Sequence, residues 1–260
     1  HAPWGRLARG GALRHGWNHG LCKTLLFFGA GSVLHATGTR EMSRLGGLWQ
    51  RMPWTAALFA LGAAAIAGLP PLNGFVSEWL VYLGLFDAVG SRGNAALAAV
   101  GAVILLAATG ALALACFIKV CGVMFLGAPR TGAAARAHEC GPHMRIPMIA
   151  LAAACVAIGL APGLFWPAMA RAAAVWNPAW PAVDAPASLT LLGNANLALA
   201  LAAVAGVALL WDRTRQNGLR RAPTWDCGYA TPTGRMQYTA GSFAGTVTGW
   251  FAWILCPQRH

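Results

Sequence analysis

The sequence predicts an all-α fold, a polytopic membrane helix bundle of about 5–6 transmembrane segments in which one helix is discontinuous. Composition is the first reason, since 57% of the 260 residues are hydrophobic and only 10% are charged, against about 25% charged residues in soluble domains. The second is the length of the apolar runs, several of which approach the ~20 residues that a spanning helix needs. The third is that runs rich in Ala, Leu and Gly lack the alternating pattern of membrane β-barrel strands.

Six apolar runs carry this prediction, and each should be helical because lipid leaves no other partner for the backbone groups of a single segment. The runs cover about Leu21–Ala36, Trp54–Leu69, Phe75–Phe86, Ala95–Leu126, Ile146–Phe165 and Leu189–Trp211. Residues 1–14 carry three arginines and no apolar periodicity, so we expect an atypical or truncated N-terminal segment there. Residues 212–260 should form a loop followed by a terminal apolar segment.

Arginines collect in three of the loops between these runs and are sparse in the others. The rich loops hold Arg40, Arg44 and Arg51; Arg130, Arg136 and Arg145; and Arg213, Arg215, Arg220 and Arg221. By the positive-inside rule these loops face the cytoplasm, which predicts a multi-pass protein of the inner (cytoplasmic) membrane. The net charge of +12 then reflects membrane topology. We expect the lipid bilayer as a partner of this chain, and no nucleic acid.

The stretch LPPLNGFVSEWLVY, residues 69–82, places two prolines, an asparagine, a glycine and a glutamate within apolar sequence. If the runs on either side crossed separately, the later arginine-rich loops would lie on opposite sides of the membrane. We therefore predict that Pro53 to about Gly90 is one crossing made of two half-helices. Discontinuous helices of this kind commonly hold the ion or substrate site of secondary transporters.

The cationic residues inside the apolar runs differ in type from those in the loops. All 17 arginines lie outside the runs, whereas both lysines, Lys23 and Lys119, lie inside, and Glu78 is the one deep acid of seven. Arginine stays protonated, whereas a desolvated lysine can release its proton, and such intramembrane groups are functional candidates. Each of two residues also has a structural alternative. Glu78 could mark a kink and pair with a cation of a neighbouring subunit, and Lys119 could only extend its amine to the membrane surface.

His15, His19 and Lys23 are four residues apart, which stacks them along one helix face at about 6 Å per step. Histidine titrates near neutrality, so side chains or water at this spacing can pass a proton along the face. Alternatively, this is a helix end whose histidines face the membrane surface. The seven cysteines form no CxxC pair and no His/Cys cluster, so we expect no metal or other cofactor in this chain.

The segments HGWNHGLCKTLLFF, HATGTR, LPPLNGFVSEW and PTWDCGYATPTGRMQYTA together resemble a known family. It comprises the antiporter-like subunits of respiratory complex I, the Mrp cation/proton antiporters and the membrane-bound group 4 hydrogenases. Within it, the resemblance is greatest to the membrane subunits of hydrogenase-4 and formate hydrogenlyase. It covers roughly residues 15–245 and rests on several motifs together.

The resemblance implies two inverted helix repeats, each with a broken helix, and proton conduction along a hydrated axis of charged residues. It implies that Lys23 is a central proton relay together with His15 and His19, and that Glu78 gates exchange with the outer face. The correspondence to Lys119 is less direct. It also implies other membrane and peripheral subunits as partners. Redox chemistry would occur at nickel–iron and iron–sulfur centres in partner subunits, with no such centre in this chain.

On this resemblance, residues 15–126 are the C-terminal part of the second repeat and residues 127–211 are additional transmembrane helices. The sequence lacks the family's first repeat, so we expect it to be the C-terminal part of a longer subunit. The predicted function is proton translocation coupled to redox chemistry in partner subunits. Two other functions stay open: an Mrp-type Na⁺/H⁺ antiporter subunit, and a non-conducting scaffold or fragment.

Overall fold

The computed structural model of this chain describes residues 4–91, 93–176, 185–218, 236–242 and 244–256. These residues form helices and turns without a strand, which confirms the all-α prediction. The α-helices are α1 (Trp4–Thr37), α2 (Pro53–Ile66), α3 (Asn73–Val89), α4 (Asn94–Phe125), α5 (Gly132–Ala135), α6 (Pro142–Leu160), α7 (Trp166–Trp176), α8 (Ala187–Asn217), α9 (Ala244–Trp250) and α10 (Ala252–Leu255).

Within the described part of the chain, three helical segments are long and apolar enough to cross a membrane, namely Asn94–Phe125, Pro142–Leu160 and Ser188–Gln216. Large apolar side chains are exposed along α4 and α8, as shown by Leu97 at 76% and Val204 at 67%. Such continuous apolar exposure is expected where lipid surrounds a helix, because apolar side chains that face lipid tails are not in contact with water. The chain is therefore a multi-pass membrane protein.

Helix α1 runs antiparallel to α2 and α3 between Gly11 and Ser32. Its 34 residues extend about 50 Å, and its contacts move steadily down the sequence of its neighbours as α1 advances. The contacting pairs, in order along α1, are Gly11 with Val81, His15 with Ser77, Asn18 with Asn73, Leu25 with Gly62, Gly29 with Phe59, and Ser32 with Thr55. Helices α2 and α3 are thus successive halves of one crossing, and the predicted discontinuous helix is confirmed.

The break between these halves covers residues 67–72 and includes a cis peptide bond between Pro70 and Pro71. Proline ends a helix because it lacks the backbone N–H and its ring clashes with the preceding turn. Helix α6 packs directly on the break through Gly159, where a Cβ would overlap the carbonyl oxygen of Pro71 and lie 2.8 Å from the carbonyl carbon of Leu72. The missing side chain at Gly159 therefore lets two backbones meet.

The first two arginine-rich loops lie together at one end of the bundle. Arg130 Nη1 donates to the carbonyl of Leu45 at 2.7 Å, and the hydroxyl of Thr131 donates to the carbonyl of Arg44 at 2.9 Å. The alternation of arginine-rich and arginine-poor loops predicts this arrangement. In the third rich loop, Arg220 and Arg221 lie outside the described residues, as do Cys227 and most of the PTWDCGYATPTGRMQYTA motif.

Arg14 lies outside the apolar runs, as the sequence shows, and yet belongs to a packed helix. Helix α1 begins at Trp4 and passes through residue 14 without a break, and the side chain of Arg14 is only 1% exposed. Arginine is therefore not confined to the loops. Because Arg14 precedes the apolar run that begins at Leu21, hydropathy alone does not indicate that the helix and its packing extend that far.

Candidate functional site

The candidate site lies at the helix break, where α1, α3 and α6 meet around Asn73. Asn18 Nδ2 donates to the backbone carbonyl of Asn73 at 2.7 Å, and Cys22 Sγ donates to Asn73 Oδ1 at 3.4 Å. Cys22 Sγ also lies 3.9 Å from Cys155 Sγ of α6. Asn18 and Asn73 are fully enclosed, at 2% and 0% exposure. Helix α1 thus fixes the first residue of α3 through two side chains one helical turn apart.

The predicted histidines lie beside the first turn of α3. The rings of His15 and His19 stack with centroids 5.6 Å apart, and His15 Nδ1 lies 3.4 Å from the hydroxyl oxygen of Ser77. The same hydroxyl donates to the carbonyl of Gly74 at 2.8 Å. His15 is half-buried, whereas His19 is exposed. The two imidazoles are therefore close enough for proton exchange through one water, with a hydroxyl group at the inner end.

Glu78 follows Ser77 on α3 and is half-buried. Its carboxylate lies against the backbone of Gly68, inside the break. Between described residues, the ion pair found is the exposed contact of Arg44 with Glu41, so no cation within that part of the chain neutralises Glu78.

Lys23 lies one turn beyond His19, on a face of α1 that the described residues leave uncovered. Its side chain is exposed and forms no hydrogen bond or ion pair with the described part of the chain. His15, His19 and Lys23, called here the titratable row, therefore lead from the contact with α3 outward to this open face.

Lys119 does not join the site. Its amine donates to the backbone carbonyl of Ser242, in a segment that also contacts the arginine-rich end through Gln237, whose Oε1 accepts from the N–H of Ala128 at 2.9 Å. Of the five predicted site residues, the structure gathers His15, His19 and Glu78 near the break, leaves Lys23 one turn away and separates Lys119.

Sequence reasoning missed Arg14 as a buried polar group. Its Nη2 donates to the carbonyl of Pro162 at 2.9 Å, while Nε and Nη1 have no partner among the described residues. A cavity of about 10 Å³ beside it, room for about one water, is lined in part by Asn18. Arg14, Asn18 and Cys22 form a second row at four-residue spacing, called here the buried row. That periodicity was the available signal.

The chemistry that the site offers is proton exchange, because it combines imidazoles, a hydroxyl group and a carboxylate beside backbone freed by the break. No group of three His, Cys, Asp or Glu side chains able to hold a metal ion occurs within the described ranges.

Comparisons with known proteins match this region. Residues 5–105, which include the whole site except Cys155, match the family model for the transmembrane part of NADH:quinone oxidoreductase/Mrp antiporters. Hydrogenase-4 component B of Escherichia coli (strain K12) is 40% identical over an alignment of 233 residues that covers 84% of this chain and 34% of the relative. Formate hydrogenlyase subunit 3 of the same strain is 39% identical over an alignment of 253 residues that covers 94% of this chain and 40% of the relative.

A solved structure shows the same fold. The membrane-bound sulfane sulfur reductase, an archaeal respiratory membrane complex, contains a chain that superimposes with a TM-score of 0.72 at 22% identity, covering 99% of this chain and 41% of the other. The chain spans between a third and just over two-fifths of the length of these three proteins. The predicted resemblance is confirmed: residues 5–105 are similar to the transmembrane part of NADH:quinone oxidoreductase/Mrp antiporters, and the chain is similar to part of hydrogenase-4 component B and of formate hydrogenlyase subunit 3.

Proposed function

We propose that this chain is the proton-conducting part of a membrane subunit of a group 4 hydrogenase, of the hydrogenase-4 or formate hydrogenlyase type. Protons would move in response to redox chemistry at nickel–iron and iron–sulfur centres of partner subunits. The observation that carries this proposal is the meeting of the stacked His15 and His19 with Ser77 and Glu78 at a broken helix. The similarity to the two hydrogenase-type relatives supports the choice of complex.

The part of the proposed path that passes through the site begins at the open face of α1 and ends at the break. Lys23 takes up a proton, and the stacked imidazoles of His19 and His15 pass it towards α3. From His15 the proton reaches Glu78 through water held near the Ser77 hydroxyl. Glu78 lies about one turn beyond the start of α3, where unpaired amides of the helix N-terminus favour a carboxylate. Repulsion between neighbouring protonated sites drives release from Glu78.

The direction of this path follows from charge. We assign the arginine-rich end to the cytoplasm of a cell with the protein in its inner membrane, because arginines concentrate on the cytoplasmic side. Glu78 lies towards the opposite end of the crossing and is the outer-side proton site. Lys119, near the arginine-rich end, is the entry-side member of the proposed pathway. Its amine is held by the carbonyl of Ser242.

Two substitutions in the full-length protein test the proposal. Glu78→Gln removes the proton acceptor with little change of shape, and Lys23→Ala removes the relay cation. We expect each to lower the rate of electron-driven proton movement by about 100-fold, the lower end of the range for loss of a proton-transfer group. Glu41→Gln is the matched control because Glu41 is an exposed loop acid. Unchanged proton movement in both site variants would contradict the proposal and favour a non-conducting scaffold.

The second candidate is an Mrp-type Na⁺/H⁺ antiporter subunit, favoured by the family model, which includes the Mrp antiporters. The two candidates differ in what drives proton movement. Sodium-dependent pH changes in membrane vesicles that lack any electron donor would favour the antiporter, whereas dependence on an electron donor favours the hydrogenase.

A further inference from the structure

Gly68 forms the surface against which the Glu78 carboxylate rests. The residue lies in the break with φ +69°, and the atoms nearest to where its Cβ would be are all from the Glu78 carboxyl group. A Cβ there would overlap Oε2 and lie 2.8 Å from Cδ and 2.9 Å from Oε1. The absence of a side chain at Gly68 is therefore what leaves room for the acid.

Both sides of this contact are held independently of each other. On the break side, the N–H of Gly68 donates to the carbonyl of Ala65 at 3.2 Å, and that of Leu69 donates to the carbonyl of Ala64 at 3.0 Å. On the α3 side, Asn18 holds the carbonyl of Asn73. The carboxylate cannot retreat with α3 as a whole, so a side chain at residue 68 would displace the flexible end of Glu78.

We propose that Gly68 is a positioning residue for Glu78, which keeps the carboxylate on the unwound backbone between α2 and α3. This geometric role is independent of proton conduction. Its effect on transport rests on the function proposed above. The two parts are separated by reading the carboxyl group directly as well as measuring proton movement.

The test uses glycine substitutions matched in backbone conformation. Gly68→Ala adds a Cβ, and Gly68→Asn adds the same atom with less strain, because asparagine tolerates positive φ better than most residues. The controls are Gly38→Ala and Gly38→Asn. Gly38 has φ +67° but has nothing within 4 Å of its Cβ position, so it reports backbone strain alone. Gly68→Ala combined with Glu78→Asp shortens the acid and should relieve the overlap.

Two readouts are taken on the full-length protein in its native membrane. Infrared difference spectroscopy identifies the Glu78 carboxyl band by its loss in Glu78→Gln. We expect that band to shift in both Gly68 variants and to stay unchanged in both Gly38 variants. Proton movement should fall at least about tenfold in the Gly68 variants, in line with the cost of a misplaced reacting group. Adding Glu78→Asp should restore it towards the level of Glu78→Asp alone.

The outcomes separate the two proposals. An unshifted carboxyl band in Gly68→Ala and Gly68→Asn, or equal losses in the Gly38 controls, overturns the positioning role. A shifted band together with normal transport in both Glu78→Gln and Lys23→Ala upholds the positioning role and overturns the proposed function. If the two Gly68 variants do not accumulate, accumulation of the Gly68→Ala/Glu78→Asp chain supports the overlap, and its failure to accumulate contradicts it.

Discussion

At the scale of single residues, the two polar rows of α1 share one periodicity and differ in environment. Neighbouring residues on a helix point about 100° apart, so each member of the titratable row stands beside a member of the buried row. The buried row faces α3 and α6 and holds backbone carbonyls of Asn73 and Pro162. The titratable row starts at the contact of His15 with Ser77 of α3 and leads to the open face at Lys23. One row therefore holds the break in place while the other stays accessible to protons.

Buried side-chain amides donate hydrogen bonds to backbone carbonyls that have no partner within their own helix. Asn196 of α8 is a testable case. Its Nδ2 donates to the carbonyl of Gly159 at 2.8 Å, within the last turn of α6, where carbonyls lack a partner inside the helix. We expect Asn196→Ala to lower the free energy of unfolding by about 1–3 kcal/mol, because a buried carbonyl loses its donor. Thermal unfolding in detergent measures the change.

Asn194 on the same helix provides the control for this prediction. Its side chain is exposed, so Asn194→Ala should change the free energy of unfolding by less than about 0.5 kcal/mol. Equal effects of the two substitutions would mean that the bond from Asn196 to Gly159 contributes nothing specific.

At the scale of elements, helix α2 begins with a cap supplied from a distant loop. Its preceding residue, Met52, provides no side-chain bond. Instead, Glu139 Oε2 accepts from the backbone N–H groups of Trp54 at 2.8 Å and Thr55 at 3.3 Å. The Thr55 hydroxyl also donates to Glu139 and lies 3.0 Å from the Ser32 hydroxyl of α1. The carboxylate thus accepts hydrogen bonds from amides that lack a partner within the helix, and its negative charge is stabilised by the positive end of the helix dipole.

Removal of this cap should weaken the fold measurably. We expect Glu139→Ala to lower the free energy of unfolding by about 1–2 kcal/mol, the usual cost of losing an N-terminal cap with a charge. Chemical denaturation in detergent, followed by circular dichroism, measures it. Glu41→Ala should cost less than about 0.5 kcal/mol, because its 4.0 Å contact with Arg44 is exposed. A cap role for Glu139 is excluded when both variants unfold alike.

At the scale of the whole molecule, the contacts of α1 decide how many times the chain crosses the membrane. The run of partners from Val81 back to Thr55 leaves α2 and α3 end to end along one neighbour. The two ends of the broken helix should therefore lie on opposite sides of the membrane. Two separate crossings would bring them to the same side.

Cysteine labelling distinguishes these topologies. Gln50 precedes α2 and Asn94 begins α4, and both side chains are exposed. In sealed vesicles of one orientation, a membrane-impermeant maleimide should label only one of Gln50→Cys and Asn94→Cys above the parent chain, and the other after the vesicles are opened. Labelling of both from the same side would refute the single crossing.

Much of the element pattern was predictable because membrane helices are set by local composition. The run Ala95–Leu126 corresponds to α4 at Asn94–Phe125, and the break after Leu69 falls within residues 67–72. The histidines near the break were also predictable, since four-residue spacing fixes which side chains share a helix face. Arg14 and Glu139 were not, because their partners Pro162 and Trp54 are far away in sequence.

The sequence by itself determined the all-α membrane fold, the single broken crossing and the titratable row, since each follows from hydropathy, loop charge or helical periodicity. Only the tertiary structure decided that Glu78 rests on Gly68, that Arg14 is buried and that Lys119 stands apart from the site. The physical reason is that these facts depend on which backbones approach one another. Close approach is set by small residues and hydrogen bonds between distant segments, which no local pattern encodes.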